Sequence, residues 1–237
     1  MKKFVLPLIL FLGLILRLIA INQSLWLDEA TSAIVARDFS FSWILTEFSP
    51  GDFHPPLYYL FLKGWAVVFG SSEVGLRSFS LVAGLTTIYA VYLIGKKLVS
   101  KEAGLLAALF LATSGLHIYY SQEARMYALS TLLVASLFYL FLKILKSKKR
   151  LDWYFFSLLL LLNGLTDYLP NLAIISFWIF AILAKKDHRW WKNFLLSHVP
   201  LAIAFSWWLP TFAKQFGSGL GVADSAPGWW KVLGRTN

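Results

Sequence analysis

The sequence predicts an all-α, polytopic transmembrane protein with about seven spans and two or three interfacial helices in its first outer loop. Three observations point there. Apolar residues make up 58% of the chain and charged ones only 14%, whereas a soluble domain carries about 25% charged residues. The apolar residues come in runs close to the length needed to cross about 30 Å of hydrocarbon. The basic residues gather in short clusters between those runs, the pattern that orients a chain in a bilayer. That distribution also argues against nucleic acid as a partner, despite a net charge of +10. The absence of cysteine excludes disulfides, thiolate metal sites and thiol nucleophiles.

Residues 4–21 form a first span of roughly 27 Å at about 1.5 Å per residue. No small-residue cleavage site follows Met1-Lys2-Lys3 and this run, so it reads as a retained helix with a cytoplasmic N-terminus. Arg17, near its far end, is placed to snorkel to the surface. Residues 22–52 carry Asp28, Glu29, Asp38, Glu47 and Asp52 with Arg37 as the only cation, a bias suited to the outer side. Within them, residues 29–37 and 41–48 are too short and too mixed to span and read as helices along the interface.

Residues 57–69 would reach only about 20 Å as a helix. They hold Lys63 at mid-length and carry Tyr58, Tyr59 and Trp65, so they too are placed on the surface, with Pro56 in the first turn. Further spans are read at 74–95, 103–119, 126–145 and 193–212, with a pair in 152–184 divided at 163–171. Three clusters mark cytoplasmic ends: Lys96, Lys97 and Lys101; then Lys146, Lys148, Lys149 and Arg150; then Lys185, Lys186, Arg189 and Lys192. Ionisable residues inside the apolar segments reduce, in this reading, to Arg17 and His198. Residues 213–237 are an outer loop or a truncated tail.

The chemistry-bearing residues sit on the outer loops. Asp28 and Glu29 follow Trp26 where the first span emerges. They serve either as a helix N-cap with an acid in the first turn, or as a general base whose neighbour holds it or binds a cation. Glu123 and Arg125 occupy the second outer turn, where Ser121 could cap the next helix and Glu123 could sit in its first turn. A guanidinium at the mouth of a helix N-terminus suits a phosphate, since it can bind two oxygens at once; an ion pair with Glu123 or Asp28 is the rival reading. His54, before Pro55 and Pro56, is a stiff turn or a phosphate contact. Asp167 and His198 are structural by default. No HExxH pattern or Gly-rich strand-to-helix loop signals a metal or nucleotide site.

Three stretches, in order, carry a resemblance: Leu25-Trp26-Leu27-Asp28-Glu29-Ala30, His54-Pro55-Pro56-Leu57-Tyr58-Tyr59 and Tyr120-Ser121-Gln122-Glu123-Ala124-Arg125-Met126-Tyr127. Together they resemble the C-superfamily membrane glycosyltransferases, in particular those related to protein O-mannosyltransferases and the lipid A aminoarabinose transferase. The resemblance covers about residues 1–212, which it makes the N-terminal part of a transmembrane glycosyltransferase domain. It implies interfacial helices in the first outer loop and a polyprenyl- or dolichyl-phosphate sugar donor. It also implies catalytic acids at Asp28, Glu29 and Glu123, and donor-phosphate contacts at His54, Arg125 and Tyr127. Relatives of this kind run longer, so the chain is expected to be a fragment or a truncated product.

The residues agree with that implication. Nucleotide sugars are cytoplasmic, so an acidic site on the outer face must receive its sugar on a lipid phosphate. Asp28 would deprotonate an acceptor hydroxyl on a protein, lipid or glycan, and single displacement would invert the anomeric centre. Glu29 and Glu123 are candidate ligands for a divalent ion, magnesium or manganese, because hard cations prefer oxygen ligands. The expected location is the cell membrane, multi-pass, with the active site extracytoplasmic. The alternatives are a non-catalytic membrane subunit and a lipid or sugar transporter; transporters place ionisable groups near the bilayer midplane.

Overall fold

A computed structural model of the chain describes residues 4–220, with side chains to residue 217, and every regular element among them is helical. The order is α1 (Val5–Leu18), α2 (Leu27–Asp38), α3 (Phe41–Trp43), a π-helical turn (Ile44–Phe48), α4 (Ser49–Gly51), α5 (Leu57–Phe69) and α6 (Glu73–Leu98). Then follow α7 (Lys101–Thr113), α8 (Gly115–Ser121), α9 (Tyr127–Ile144), α10 (Arg150–Gly164), a 3-10 turn (Leu169–Asn171), α11 (Leu172–Leu183) and α12 (His188–Leu220). Met1 to Lys3 and residues 221–237 of the expected tail lie outside the described residues.

Among the described residues three helices are long and apolar enough to cross a membrane: α6, α9 and α12 through Gly217. A fourth arises if α7 and α8 count as one broken span. Val5–Leu18, Leu57–Phe69 and 169–183 are apolar but shorter. The chain is therefore an all-helical membrane protein. The short helices expected between the first two apolar runs are present, and α5 has the expected bounds, starting after Pro56 as its N-cap. That is one position earlier than a first-turn proline.

Two expectations about α1 and the third span need correction, for one reason. Residues 103–119 do not form a straight helix: α7 and α8 meet at Ser114 with a bend of 64°. Such a break leaves carbonyls without their intrahelical N–H donors. Arg17 supplies substitutes, donating from Nη1 to Ala112 O at 3.1 Å and from Nη2 to Leu111 O at 3.4 Å. Its Nε donates to Ser121 Oγ at 3.1 Å, Nη1 also to Gly13 O, and Nη2 faces His117 Nδ1. Arg17 therefore does not snorkel; it is fully buried. Ser121 closes α8 against Arg17 instead of capping α9, whose N-cap Met126 has no side-chain cap.

Close packing fixes α6 as the centre of the first bundle, touching α1, α5, α7, α8 and α9. A Cβ on Gly104 would meet Tyr92 O at 2.5 Å, so α7 lies directly on α6; small residues allow this in membrane helices. Similarly, a Cβ on Gly84 would run into Ser121 Oγ, so the missing side chain is what lets α8 reach α6. A second bundle of α9, α10, α11 and α12 packs around Phe141, Phe156, Phe177 and Phe194. A third apolar cluster, with Val35, Ile44, Tyr58, Tyr59, Leu76 and Met126, lies where α2, the π-turn, α5, α6 and the 122–126 loop converge. The candidate site sits on that cluster.

Candidate active site

The loop after α1 is held in place by Arg77, in the second turn of α6. Nη1 donates to Ile21 O at 2.9 Å and Gln23 O at 2.5 Å, and Nη2 donates to Ser24 O at 3.2 Å. The rest of the guanidinium forms a bidentate pair with Glu29, from Nε to Oε1 at 2.8 Å and from Nη2 to Oε2 at 2.6 Å. Glu29 Oε1 also accepts Ala124 N–H at 2.7 Å, and Oε2 accepts Trp26 N–H at 3.4 Å. A fully buried carboxylate thus ties the start of α2 to α6 and to the second loop. Arg77 was missed by sequence reasoning, which counted only Arg17 and His198 inside the apolar segments. The available signal was a lone cation one turn past the Ser72 cap of an otherwise apolar run.

This clamp sets the neighbours of Glu29 and Ala124. Trp26 is the N-cap of α2, so Asp28 is not a cap; it lies in the first turn with its side chain 43% exposed. Its Oδ2 stands 3.8 Å from Nη2 of Arg125, itself buried. Three buried arginines invite comparison. Arg17 and Arg77 have all five N–H groups engaged by protein acceptors, the full complement of a guanidinium. Among the described residues the Arg125 guanidinium makes one hydrogen bond, from Nη1 to Tyr59 Oη at 3.5 Å, and its buried Nε has no partner. Burial works against its charge, yet the phenol oxygens of Tyr59, Tyr127 and Tyr58 and the Asp28 carboxylate hold its pKa above the ordinary value. A desolvated guanidinium with unengaged N–H groups has the chemistry to bind an anion.

The remaining expected residues divide. The Tyr127 ring lies 5.9 Å from the Arg125 guanidinium carbon, within cation–π range. Glu123 is buried beside Arg125, not in the first turn of α9, and its Oε2 has no hydrogen-bond partner among the described residues. Burial raises its pKa and Glu29 adds to the rise, while Tyr119, Arg125 and Trp26 oppose it. His54 is not in direct contact with Arg125. It reaches that residue through Asp52, whose Oδ2 lies 3.3 Å from His54 Nδ1 and accepts Tyr59 Oη–H at 2.8 Å. Burial alone would raise the Asp52 pKa, but His54 and the Tyr59 hydroxyl hold it below the usual carboxylate value. Read from sequence, Asp52 and Tyr59 have no role in the site. Asp167 and His198 lie outside this constellation.

The expected metal ligands fit only in part. Both oxygens of Glu29 are engaged by Arg77 and backbone N–H groups, which leaves it no open position. Glu123 Oε2 is an unpartnered acceptor and could serve. Among the described residues no three His, Asp or Glu side chains come together as a metal site. Of the two expected ligands, Glu123 alone keeps a carboxylate oxygen that could meet a cation.

Residues 53–213 match the family described as dolichyl-phosphate-mannose-protein mannosyltransferase. No curated protein and no solved structure shows a significant match. The matched region contains His54, Tyr59, Arg77, Glu123, Arg125 and Tyr127; Asp28 and Glu29 precede it, Glu29 joined to it by the Arg77 and Ala124 contacts and Asp28 by Arg125. The match covers more than half of the chain, and it places this protein in the dolichyl-phosphate-mannose-protein mannosyltransferase family, among the C-superfamily glycosyltransferases.

Proposed function

We propose that the chain transfers a sugar, with mannose the first candidate, from a dolichyl- or polyprenyl-phosphate donor to a hydroxyl of a protein, lipid or glycan. The reaction takes place on the extracytoplasmic face with inversion. The observation that carries this reading is Arg125: buried, with free N–H groups, and 3.8 Å from the half-exposed Asp28. As the acceptor oxygen bonds to the anomeric carbon, the bond from that carbon to phosphate breaks and the lipid phosphate gains one negative charge. Arg125 lies where that charge develops, and such preorganised donors are typically worth about 3 kcal/mol each. Asp28 takes the hydroxyl proton, a contribution of about 10²–10⁴-fold. Tyr127 orients Arg125, and His54, through Asp52 and Tyr59, holds the far side of the same network. A transporter is less well supported, because Arg17 and Arg77, charges buried within the bundle, are saturated by protein acceptors.

A divalent ion, magnesium or manganese, would be held by Glu123 and would supply further neutralisation of the phosphate. EDTA should lower transfer of mannose from dolichyl-phosphate mannose to an acceptor, with magnesium or manganese restoring it. Full activity in EDTA would return the whole phosphate charge to Arg125.

The proposed topology has seven crossings, α1, α6, the α7–α8 pair, α9, α10, α11 and α12, with α2 to α5 along the interface. Ser32 and Ser121 are buried and cannot report sidedness, whereas Ser42, Tyr119 and Lys148 are exposed. Single cysteines at Ser42 and Tyr119 are expected to react with an impermeant thiol reagent in intact cells, and one at Lys148 to stay protected until lysis. Reaction at Lys148 in intact cells would overturn the arrangement.

A further inference from the structure

Residues 52–56, which carry Asp52 and His54, lie between α4 and α5 and belong to neither helix. Pro55 and Pro56 have no N–H to contribute, so other parts of the chain must hold this turn in place. Both of its ends are fastened to the second bundle. Leu57 N–H donates at 3.0 Å to the carbonyl of Leu165, the residue that closes α10. At the other end the amide of Gln215, a buried side chain near the end of α12, donates from Nε2 to Ser49 O and to Asp52 O, both at 2.7 Å. Those acceptors lie 166 and 163 positions away in the sequence.

The direction of these bonds is fixed from behind Gln215. An indole N–H can only donate, so the Tyr168 hydroxyl accepts from Trp208 Nε1 at 2.8 Å and gives its own proton to Gln215 Oε1, 2.5 Å away. With Oε1 committed as an acceptor, the amide nitrogen faces Ser49 and Asp52; the flipped amide would set its oxygen against two carbonyls. Ahead of Gln215, the Asp52 carboxylate accepts Tyr59 Oη–H at 2.8 Å and meets His54 Nδ1 at 3.3 Å, and the Tyr59 oxygen accepts from Arg125 Nη1 at 3.5 Å. We infer that Gln215 is a positioning residue: through the backbone of Asp52 it sets where Tyr59 and His54 stand relative to Arg125. The inference rests on the donor-phosphate reading above. Through Gln215, α12 contributes to a site whose charged groups come from elsewhere in the chain.

The test uses the full chain in detergent and measures affinity for dolichyl phosphate, kcat and KM for transfer from dolichyl-phosphate mannose, and the unfolding temperature. Gln215→Met keeps the length of the side chain and removes its hydrogen bonds. It should weaken dolichyl phosphate affinity and raise the donor KM by about tenfold, with kcat within about threefold. Gln215→Glu, which keeps the acceptor for Tyr168 and loses the amide donors, should do the same and serves where the methionine variant does not fold. Trp208→Phe unties the same chain on the other side of Gln215. It should lower the unfolding temperature while dolichyl phosphate affinity stays within about twofold, a split that a merely structural role for Gln215 would not produce. Because Gln215 acts through Asp52, adding Gln215→Met to Asp52→Asn should weaken affinity no further. Unchanged affinity in Gln215→Met, affinity that falls with the unfolding temperature in Trp208→Phe, or losses that add in the double variant would overturn the inference even where sugar transfer is normal. Gln215-dependent binding of dolichyl phosphate by a protein that transfers no sugar would keep the inference and overturn the transferase reading.

Discussion

Asp28→Asn is expected to abolish sugar transfer while leaving affinity for the lipid-phosphate donor nearly unchanged. Among the described residues the carboxylate accepts no hydrogen bond, and it does not cap α2, since Trp26 holds the N-cap position. Its closest charged contact is Arg125 at 3.8 Å with the Asp28 side chain 43% exposed, a spacing at which an exposed pair adds little to stability. Asparagine keeps the shape, so a structural Asp28 would tolerate the change. A base cannot, because the amide accepts no proton, and turnover should fall by about 10²-fold or more. Arg125→Ala should show the opposite split, weakening donor binding first, because its free N–H groups are the anion contact. The measurement is turnover and donor affinity for both variants with dolichyl-phosphate mannose and a hydroxyl acceptor. Near-normal transfer by Asp28→Asn would move the base to Glu123, whose buried Oε2 has no hydrogen-bond partner among the described residues.

The second large effect belongs to Glu29 and Arg77. Both side chains are buried, at 0% and 6% exposure, and pair at 2.6 Å. Removing one partner strands the other charge, at a cost of about 3–5 kcal/mol, which is a large share of a typical total of about 5–15 kcal/mol. Glu29→Gln and Arg77→Leu should therefore each lower the unfolding temperature in detergent by several degrees. The double variant Glu29→Leu with Arg77→Leu should recover part of that loss, because no charge is left behind. Each single variant should also impair donor binding, since Glu29 fixes Ala124 N–H at 2.7 Å and through it Glu123 and Arg125. If Glu29 were instead the base or a metal ligand, Glu29→Gln would lose turnover at an unchanged melting temperature. That outcome would replace the clamp with chemistry.

Sequence alone determined the class of molecule and named the first candidate residues. Composition requires helices in a membrane, because a backbone in hydrocarbon must satisfy its own polar groups. Pro56 and Gly70 bracket α5 closely enough that its bounds could be read directly. The order of the Asp28-Glu29, His54 and Glu123-Arg125 stretches pointed to the family before any geometry was known. What only the tertiary structure decided is which charges are free. Arg17, Arg77 and Arg125 read alike in a sequence, as cations beside or inside apolar runs. Whether each is a strut or a binding group depends on which acceptors surround it, and those come from residues far away in the chain: Ala112 and Ser121 for Arg17, Ile21 and Glu29 for Arg77. Two arginines are saturated because a helix break at Ser114 and a loop after α1 release carbonyls toward them. Arg125 has no such supply, and its unmet N–H groups beside Asp28 are a property of the folded arrangement that no local pattern of residues encodes.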